Sequence, residues 1–294
     1  MPRPTPRPPP VTRTTLPCIC ACTGGVEHVL LASATVQSRP PAIRSTTDDQ
    51  GIAEVVVERP PVNALGIVDW QGIADALIAL GRDASVRVVI LSAEGRGWNA
   101  GVDIKELHAA PDAHAALIAV NRACAAAFVA VYECEVPVIA AVHGFCLGGG
   151  IGLVGNADVV IASDDATFGL PEVDRGALGA ATHLARLVPQ HLMRAMVYTG
   201  RKLPAAELLH HGGILEVVPK GRLREAARAV AAEIAAKSPV AIRAAKQSLN
   251  GIDPVDVKRS YRYEQGFTFE LTLAGVGAEK RREFAEGTEP AEKT

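Results

Sequence analysis

The sequence predicts an α/β fold built on parallel strands. Three observations carry this expectation: apolar runs rich in β-branched residues, helical periodicity between those runs, and a change to wholly helical patterning beyond Arg186. Residues 52–59 (IAEVVVER) alternate and then run β-branched into Pro60 and Pro61, as a strand does. Residues 68–83 place apolar side chains at helical spacing, and 87–92 (RVVILS) read as a strand buried on both faces. An Ala-rich helix is expected over 112–134, ending before Pro137, which opens the buried strand 137–142 (PVIAAV). A helical turn follows the glycines at 148–150, and 158–163 (DVVIAS) and 166–170 (ATFGL) are the next strands. Helices are then expected over 193–200, 204–212, 221–238, 239–251 and 254–275. The last of these carries Tyr261, Phe267 and Leu271 as a stripe suited either to capping the core or to packing on another subunit.

Composition narrows the classes of function. The 294 residues hold 30 Lys+Arg against 32 Asp+Glu, a formal charge of −2. Without a basic excess, a phosphate backbone offers little counterion-release energy, so nucleic acid is not an expected partner. Hydrophobic residues make up 48% but aromatics only 4%, so the core is built from Ala, Val, Leu and Ile. The apolar stretches, such as Val136–Val142, read as strand-length, and no membrane partner is expected. Residues 1–50 are Pro/Arg-rich and lack periodicity, and are expected to be a disordered extension. Their LPCICAC patch is broken by Pro17 and lacks a small-residue cleavage site, which argues against a leader peptide. A core over 51–250 and a helical C-terminal region over 251–294 complete the expected organisation. Cys18, Cys20 and Cys22 lack the paired spacing of a zinc site, while Cys124, Cys134 and Cys146 fall in helix or strand patterns. No metal, no disulfide framework and a reducing, cytoplasmic compartment are the expectations.

Three segments are candidates for chemistry because each puts a turn at the carboxyl end of a strand, where open α/β sheets form their sites. They are 94–107 (EGRGWNAGVDIKEL), 143–158 (HGFCLGGGIGLVGNAD) and 168–179 (FGLPEVDRGALG), the last carrying Glu172. Gly150, Gly152 and Gly155 satisfy the spacing of a dinucleotide fingerprint, with Glu172 twenty residues beyond Gly152. That acid, however, lies past the next strand, where a ribose-binding acid does not belong, and no Lys-Ser/Thr of a triphosphate loop follows. What remains is a glycine run opening a short helix, whose bare N–H groups suit a developing oxyanion.

P-x-V-N-A-L at 60–65, G-W-N-A-G-V-D-I-K-E-L at 97–107, G-x-x-x-G-G-G at 144–150 and P-E-V-x-x-G at 171–176 together resemble the crotonase (enoyl-CoA hydratase/isomerase) superfamily. The resemblance covers residues 51 to 286. It implies a spiral of ββα turns with a helical C-terminal trimerisation region, hence a homotrimer or dimer of trimers. It implies an acyl-CoA substrate, with coenzyme A arriving as part of the substrate and no separate cofactor. By motif position, Val102 and Gly149 would supply the oxyanion-hole N–H groups, Ala100, Val102, Asp103 and Ile104 would bind CoA, and Glu172 would be the catalytic carboxylate. The position of the hydratases' other glutamate is Gly152 here, so an ordinary hydratase is disfavoured. The missing side chain is expected to open room for a ring-bearing acyl group. His183, Phe267 and Glu270 join Gly152 as acyl-pocket candidates, with either Glu264 or Glu270 available to replace the missing carboxylate.

Longer strings, including 166–194 and 261–271, look like the family's ring-opening hydrolases of actinobacterial cholesterol degradation. This implies hydrolytic, retro-Claisen cleavage of a carbon–carbon bond in a bicyclic steroid-derived acyl-CoA, a step for which one base and an oxyanion hole suffice. The alternatives are an enoyl-CoA hydratase, a Δ3,Δ2-enoyl-CoA isomerase, which also needs only one carboxylate, and a non-catalytic CoA-binding trimeric scaffold.

Overall fold

The structure, a computed structural model, describes residues 40–287. In chain order its strands are β1 (Ile43–Thr47), β2 (Ile52–Val57), β3 (Val88–Ala93), β4 (Val138–Val142), β5 (Phe145–Leu147), β6 (Val159–Ser163), β7 (Thr167–Gly169), β8 (Lys202–Pro204) and β9 (Glu216–Val218). The helices up to the second sheet are α1 (Ile67–Arg82), α2 (Ile104–Ala109), α3 (Ala113–Glu133), α4 (Gly149–Val154) and α5 (Ala181–Leu184). Those that follow are α6 (Gln190–Thr199), α7 (Ala205–His210), α8 (Leu223–Ala235), α9 (Pro239–Ile252), α10 (Val257–Leu273) and α11 (Val276–Glu286).

The larger sheet has the order β1-β2-β3-β4-β6-β9, antiparallel at β1–β2 and parallel elsewhere. Its central strands are buried on both faces, which is why their sequences run apolar without alternation. Val89 and Leu91 join Trp70, Leu77 and Phe128 under α1 and α3. Val88 and Ile90 face the other way, where Leu223, Ala227 and Ala231 of α8 cover them. Each core strand then steps sideways into a second ladder before its helix begins. Leu65 bridges Val102, Asn99 bridges Cys146 of β5, and β5 pairs in parallel with β7. Strand, side step and helix repeat along the chain, giving the expected spiral of ββα turns.

Several expectations are corrected. Residues 1–39 lie outside the described residues, but Ile43–Thr47, assigned to a disordered extension, form β1 and pair with β2 from Ile43↔Val57 to Thr47↔Ala53. Its four exposed residues give the segment no buried face and so no periodic signal. The core boundary at residue 250 falls inside α9, and the expected helix over 254–275 breaks at Gly275, beyond which α11 runs on. Three-residue β5, β8 and β9 are too short to produce a periodicity. By length and composition alone, one helix among the described residues, α3, is long and apolar enough to cross a membrane. Here Leu117, Val120, Ala127, Phe128 and Val131 pack it into the core against α1.

Candidate active site

Two buried asparagines brace the loop that follows β3. Asn63, in the left-handed region at φ 54°, donates through Nδ2 to Glu94 O (2.8 Å) and Gly97 O (2.9 Å). Asn99 donates to Asn63 O at 3.0 Å, and its Oδ1 accepts from the Gly101 N–H at 2.7 Å. Buried amides satisfied at both ends fix the backbone around them. Leu65 N–H then donates to Gly101 O and Asp103 N–H to Leu65 O, both at 2.9 Å. Between these two bonded positions, the Val102 N–H points the other way, with no acceptor among the described residues.

One turn further along the spiral, β5 delivers the chain into Gly148 at φ 57°, ψ −120°, backbone space that a side chain forbids. Helix α4 begins at Gly149, whose first-turn N–H also has no acceptor among the described residues. The two loops touch. A Cβ added at Gly101 would lie 3.3 Å from Gly149 N, and one added at Gly149 would lie 3.6 Å from Gly101 Cα. Bare donors on adjoining, braced backbones are the arrangement that stabilises an oxyanion. Trp70 forms the floor: Nε1 donates to Leu65 O at 3.1 Å, and its ring would lie 2.8 Å from a Cβ at Gly149.

Glu172 comes from the 3-10 turn Pro171–Arg175, which follows β7 and which Gly176 closes at φ 61°. Its carboxyl lies directly against the glycine run, since a Cβ at Gly148 would come within 2.9 Å of Glu172 Oε1. The stem is half-buried, whereas Oε2 is sealed from solvent and has no hydrogen-bond partner among the described residues. Burial therefore pushes the pKa up to about 8, opposed by the residue's own backbone N–H and reinforced by the Glu264 charge. A carboxyl so placed exchanges its proton near neutral pH. Beside it opens a cavity of about 200 Å³, walled by Leu170, Leu178, Val197, Tyr263, Glu264 and Phe267 among others. A larger cleft of about 880 Å³, between the end of α3 and α9, contains none of the residues expected to act.

The pocket expectations divide. Phe267 lines this cavity. Glu270 is exposed and lines none of it, and the carboxylate that α10 delivers is Glu264. Gly152 opens no acyl space. A Cβ there would meet the Phe128 ring at 2.3 Å, because that ring already fills the volume. His183 is neither on the surface nor in the cavity wall; it is buried against Phe128 and Tyr261, with centroids 5.1 Å from each. Asn156 Nδ2 donates to Phe128 O, so its Oδ1 faces His183 Nδ1 at 3.1 Å and places the proton there. Burial pushes the imidazole pKa down to about 3, so His183 stays neutral. Asp103 is occupied rather than available: its N–H goes to Leu65 O, and its Oδ1 caps α2 through Lys105 N (3.0 Å) and Glu106 N (3.2 Å). Ala100 N–H makes only a long 3.4 Å bond to Asn63 O, and Ile104 opens α2. The braces Asn63 and Asn99 and the floor Trp70 had one sequence signal, polar or aromatic residues set singly inside otherwise apolar motifs.

Residues 47–286 match the family described as enoyl-CoA hydratase/isomerase, and the chain belongs to that family. Within it, the chain is 62% identical over 248 residues to the (7aS)-7a-methyl-1,5-dioxo-2,3,5,6,7,7a-hexahydro-1H-indene-carboxyl-CoA hydrolase of Rhodococcus jostii, covering 84% of this chain and 96% of that one. It is 61% identical over 242 residues to the Mycobacterium tuberculosis hydrolase of the same name, covering 82% of this chain and 98% of that one. Among solved structures, an enoyl-CoA hydratase/isomerase from Xanthobacter autotrophicus Py2 superposes with TM-score 0.75 at 28% identity, covering 83% of this chain and 91% of that one. A carnitinyl-CoA hydratase from Mycobacterium avium gives 0.74 at 30% identity, covering 87% and 99%.

Proposed function

We propose that this chain hydrolyses a carbon–carbon bond in a bicyclic keto-acyl-CoA, opening one ring. The observation that carries this reading is the site's content: two bare N–H groups and Glu172 together, with Phe128 occupying the space at Gly152. The hexahydroindene-carboxyl-CoA hydrolases to which it is 62% and 61% identical over 248 and 242 residues supply the substrate class.

In this mechanism Glu172 takes a proton from water as the water oxygen bonds to a ring carbonyl carbon β to the thioester. The tetrahedral adduct collapses, the bond to the thioester α-carbon breaks, and its electron pair becomes a thioester enolate. Val102 N–H and Gly149 N–H hold the enolate oxygen, where each donor is worth on the order of 100- to 1,000-fold in rate. Glu172 returns its proton to the α-carbon. The product carries a new carboxyl group and an intact thioester, so one water is consumed and Glu172 ends as it began. The backbone at Ala100, Val102 and Ile104 holds CoA. A homotrimer or dimer of trimers in the cytoplasm is part of the same reading. Exposed Val240, Leu249 and Ile252 on α9 support an oligomer, and the buried, unpaired Cys124, Cys134 and Cys146 support a reducing compartment.

Assaying the protein against crotonyl-CoA, a 3-enoyl-CoA and a bicyclic keto-acyl-CoA tests the reading. Turnover of the third is expected, and turnover of only the first or second replaces it with a hydratase or an isomerase. The base must be ionised, so kcat/KM is expected to rise about tenfold per pH unit and level off above about pH 8. The sign for stability is opposite. Folded Glu172 keeps its proton to about pH 8 and the unfolded residue only to about 4.5, so stability contributed by this group falls as pH rises through that window. A kcat/KM that stays constant between about pH 6 and about pH 9 removes Glu172 as the base.

A further inference from the structure

We propose that Glu264 is the second carboxylate of this site, an anion fixed by α5 that, with the Glu172 carboxyl, holds the attacking water. The inference rests on the hydrolytic reading above. Glu264 reaches the cavity from α10, three residues after buried Tyr261 and four before buried Thr268, so it shares their inward helical face. Its Oε1 accepts from Thr182 N–H at 2.8 Å and from the Thr182 hydroxyl, and its Oε2 accepts from Ala181 N–H at 2.9 Å. A carboxylate offers about four lone-pair sites. Three are filled by donors, which hold the group in one place. One remains, on Oε2.

Glu172 lines the same cavity, and its buried Oε2 has no hydrogen-bond partner among the described residues. A water between them gives one O–H to each carboxylate and keeps its lone pairs for the carbonyl carbon. Glu172, which has no such set of donors, is the one that takes the proton, while Glu264 stays ionised and orients the water. Burial raises the pKa of Glu264, and the Thr182 and Ala181 donors oppose that rise. Titratable groups on the cavity wall, on the Glu172 turn and on the elements packed beside them include Glu264, Tyr261 and Tyr263 from α10, Tyr198 from α6, Asp174 and Arg175 from its own turn, His183 from α5 and Arg281 from α11. Arg175 stacks on Phe284, Arg281 turns to Thr272 Oγ1, and His183 is neutral. Among these, Glu264 is the anion in the cavity wall that raises the Glu172 pKa.

Glu264→Gln and Thr182→Ala, measured side by side for kcat/KM against pH and for Tm, test the proposal. Both loosen the cap on α5, so both are expected to lower Tm. Only Glu264→Gln removes the anion, so only it is expected to move the acid limb of the profile to lower pH, while its plateau falls about 100-fold as the water loses its position. If both variants lose activity in step with Tm and neither moves the limb, Glu264 is only a helix cap and the proposal is overturned. Titration of Glu172 by 13C NMR of glutamate-labelled protein, assigned with Glu172→Gln, separates this from failure of the hydrolytic reading. A lower Glu172 pKa in Glu264→Gln supports the paired carboxylates whichever substrate is turned over, and an unchanged pKa rejects them.

Discussion

Glu172→Gln is expected to lower kcat/KM for the ring-opening reaction by on the order of 1,000-fold or more, while binding of the CoA ester stays within a few-fold. The expectation follows from the placement of one side chain against two loops. Glu172 Oε1 lies at the glycine run that presents Gly149 N–H, and Oε2 is buried with no hydrogen-bond partner among the described residues. Gln keeps the size and removes the base. Because the oxyanion donors belong to the backbone of Val102 and Gly149, the variant retains them, so residual catalysis from enolate stabilisation remains measurable. Equal rates for the variant and the native protein would take Glu172 out of the chemistry. A loss confined to KM would make it a binding group.

Gly152→Ala is expected to destabilise the protein by about 1–3 kcal/mol, as overpacking of a close-packed core does. The added methyl would lie 2.3 Å from the Phe128 ring, which has little room to withdraw. Trp70 meets that ring edge-on at 5.7 Å, and His183 and Tyr261 flank it at 5.1 and 5.0 Å. Urea or thermal unfolding measures the cost, and adding Phe128→Leu to Gly152→Ala is expected to recover part of it. An unchanged midpoint in Gly152→Ala would mean that the ring moves freely and that the position is open to an acyl group after all. The same packing bears on Gly152→Glu, which restores the hydratases' carboxylate in sequence. With Phe128 in place that side chain has no room, so crotonyl-CoA hydration is not expected to appear.

How much of this was legible in the sequence depended on the physical nature of each signal. The strands Ile52–Val57, Val88–Ala93, Val138–Val142 and Val159–Ser163 are buried on two faces, and continuous β-branched runs declare that directly. Val102, Gly149 and Glu172 came from motif resemblance, and the structure brings these three backbone and side-chain groups to one place. Gly152 could not be read alone. A glycine marks a missing side chain without saying what fills the volume, and Phe128 lies twenty-four positions earlier on another helix. The choice between Glu264 and Glu270 was within reach. Tyr261, Gln265 and Thr268 define the buried stripe of α10, Glu264 falls on it, and Glu270, six residues on, does not. His183 was harder, because its neutrality depends on burial by Phe128 and Tyr261, contacts between distant segments.

The measurement that bears most directly on hydrolytic ring opening is mass spectrometry of the product formed from a bicyclic keto-acyl-CoA in 18O-labelled water. One 18O in a newly formed carboxyl group, with the CoA thioester intact, is the predicted result. Release of free CoA, or a hydrated product that keeps both rings, would contradict it.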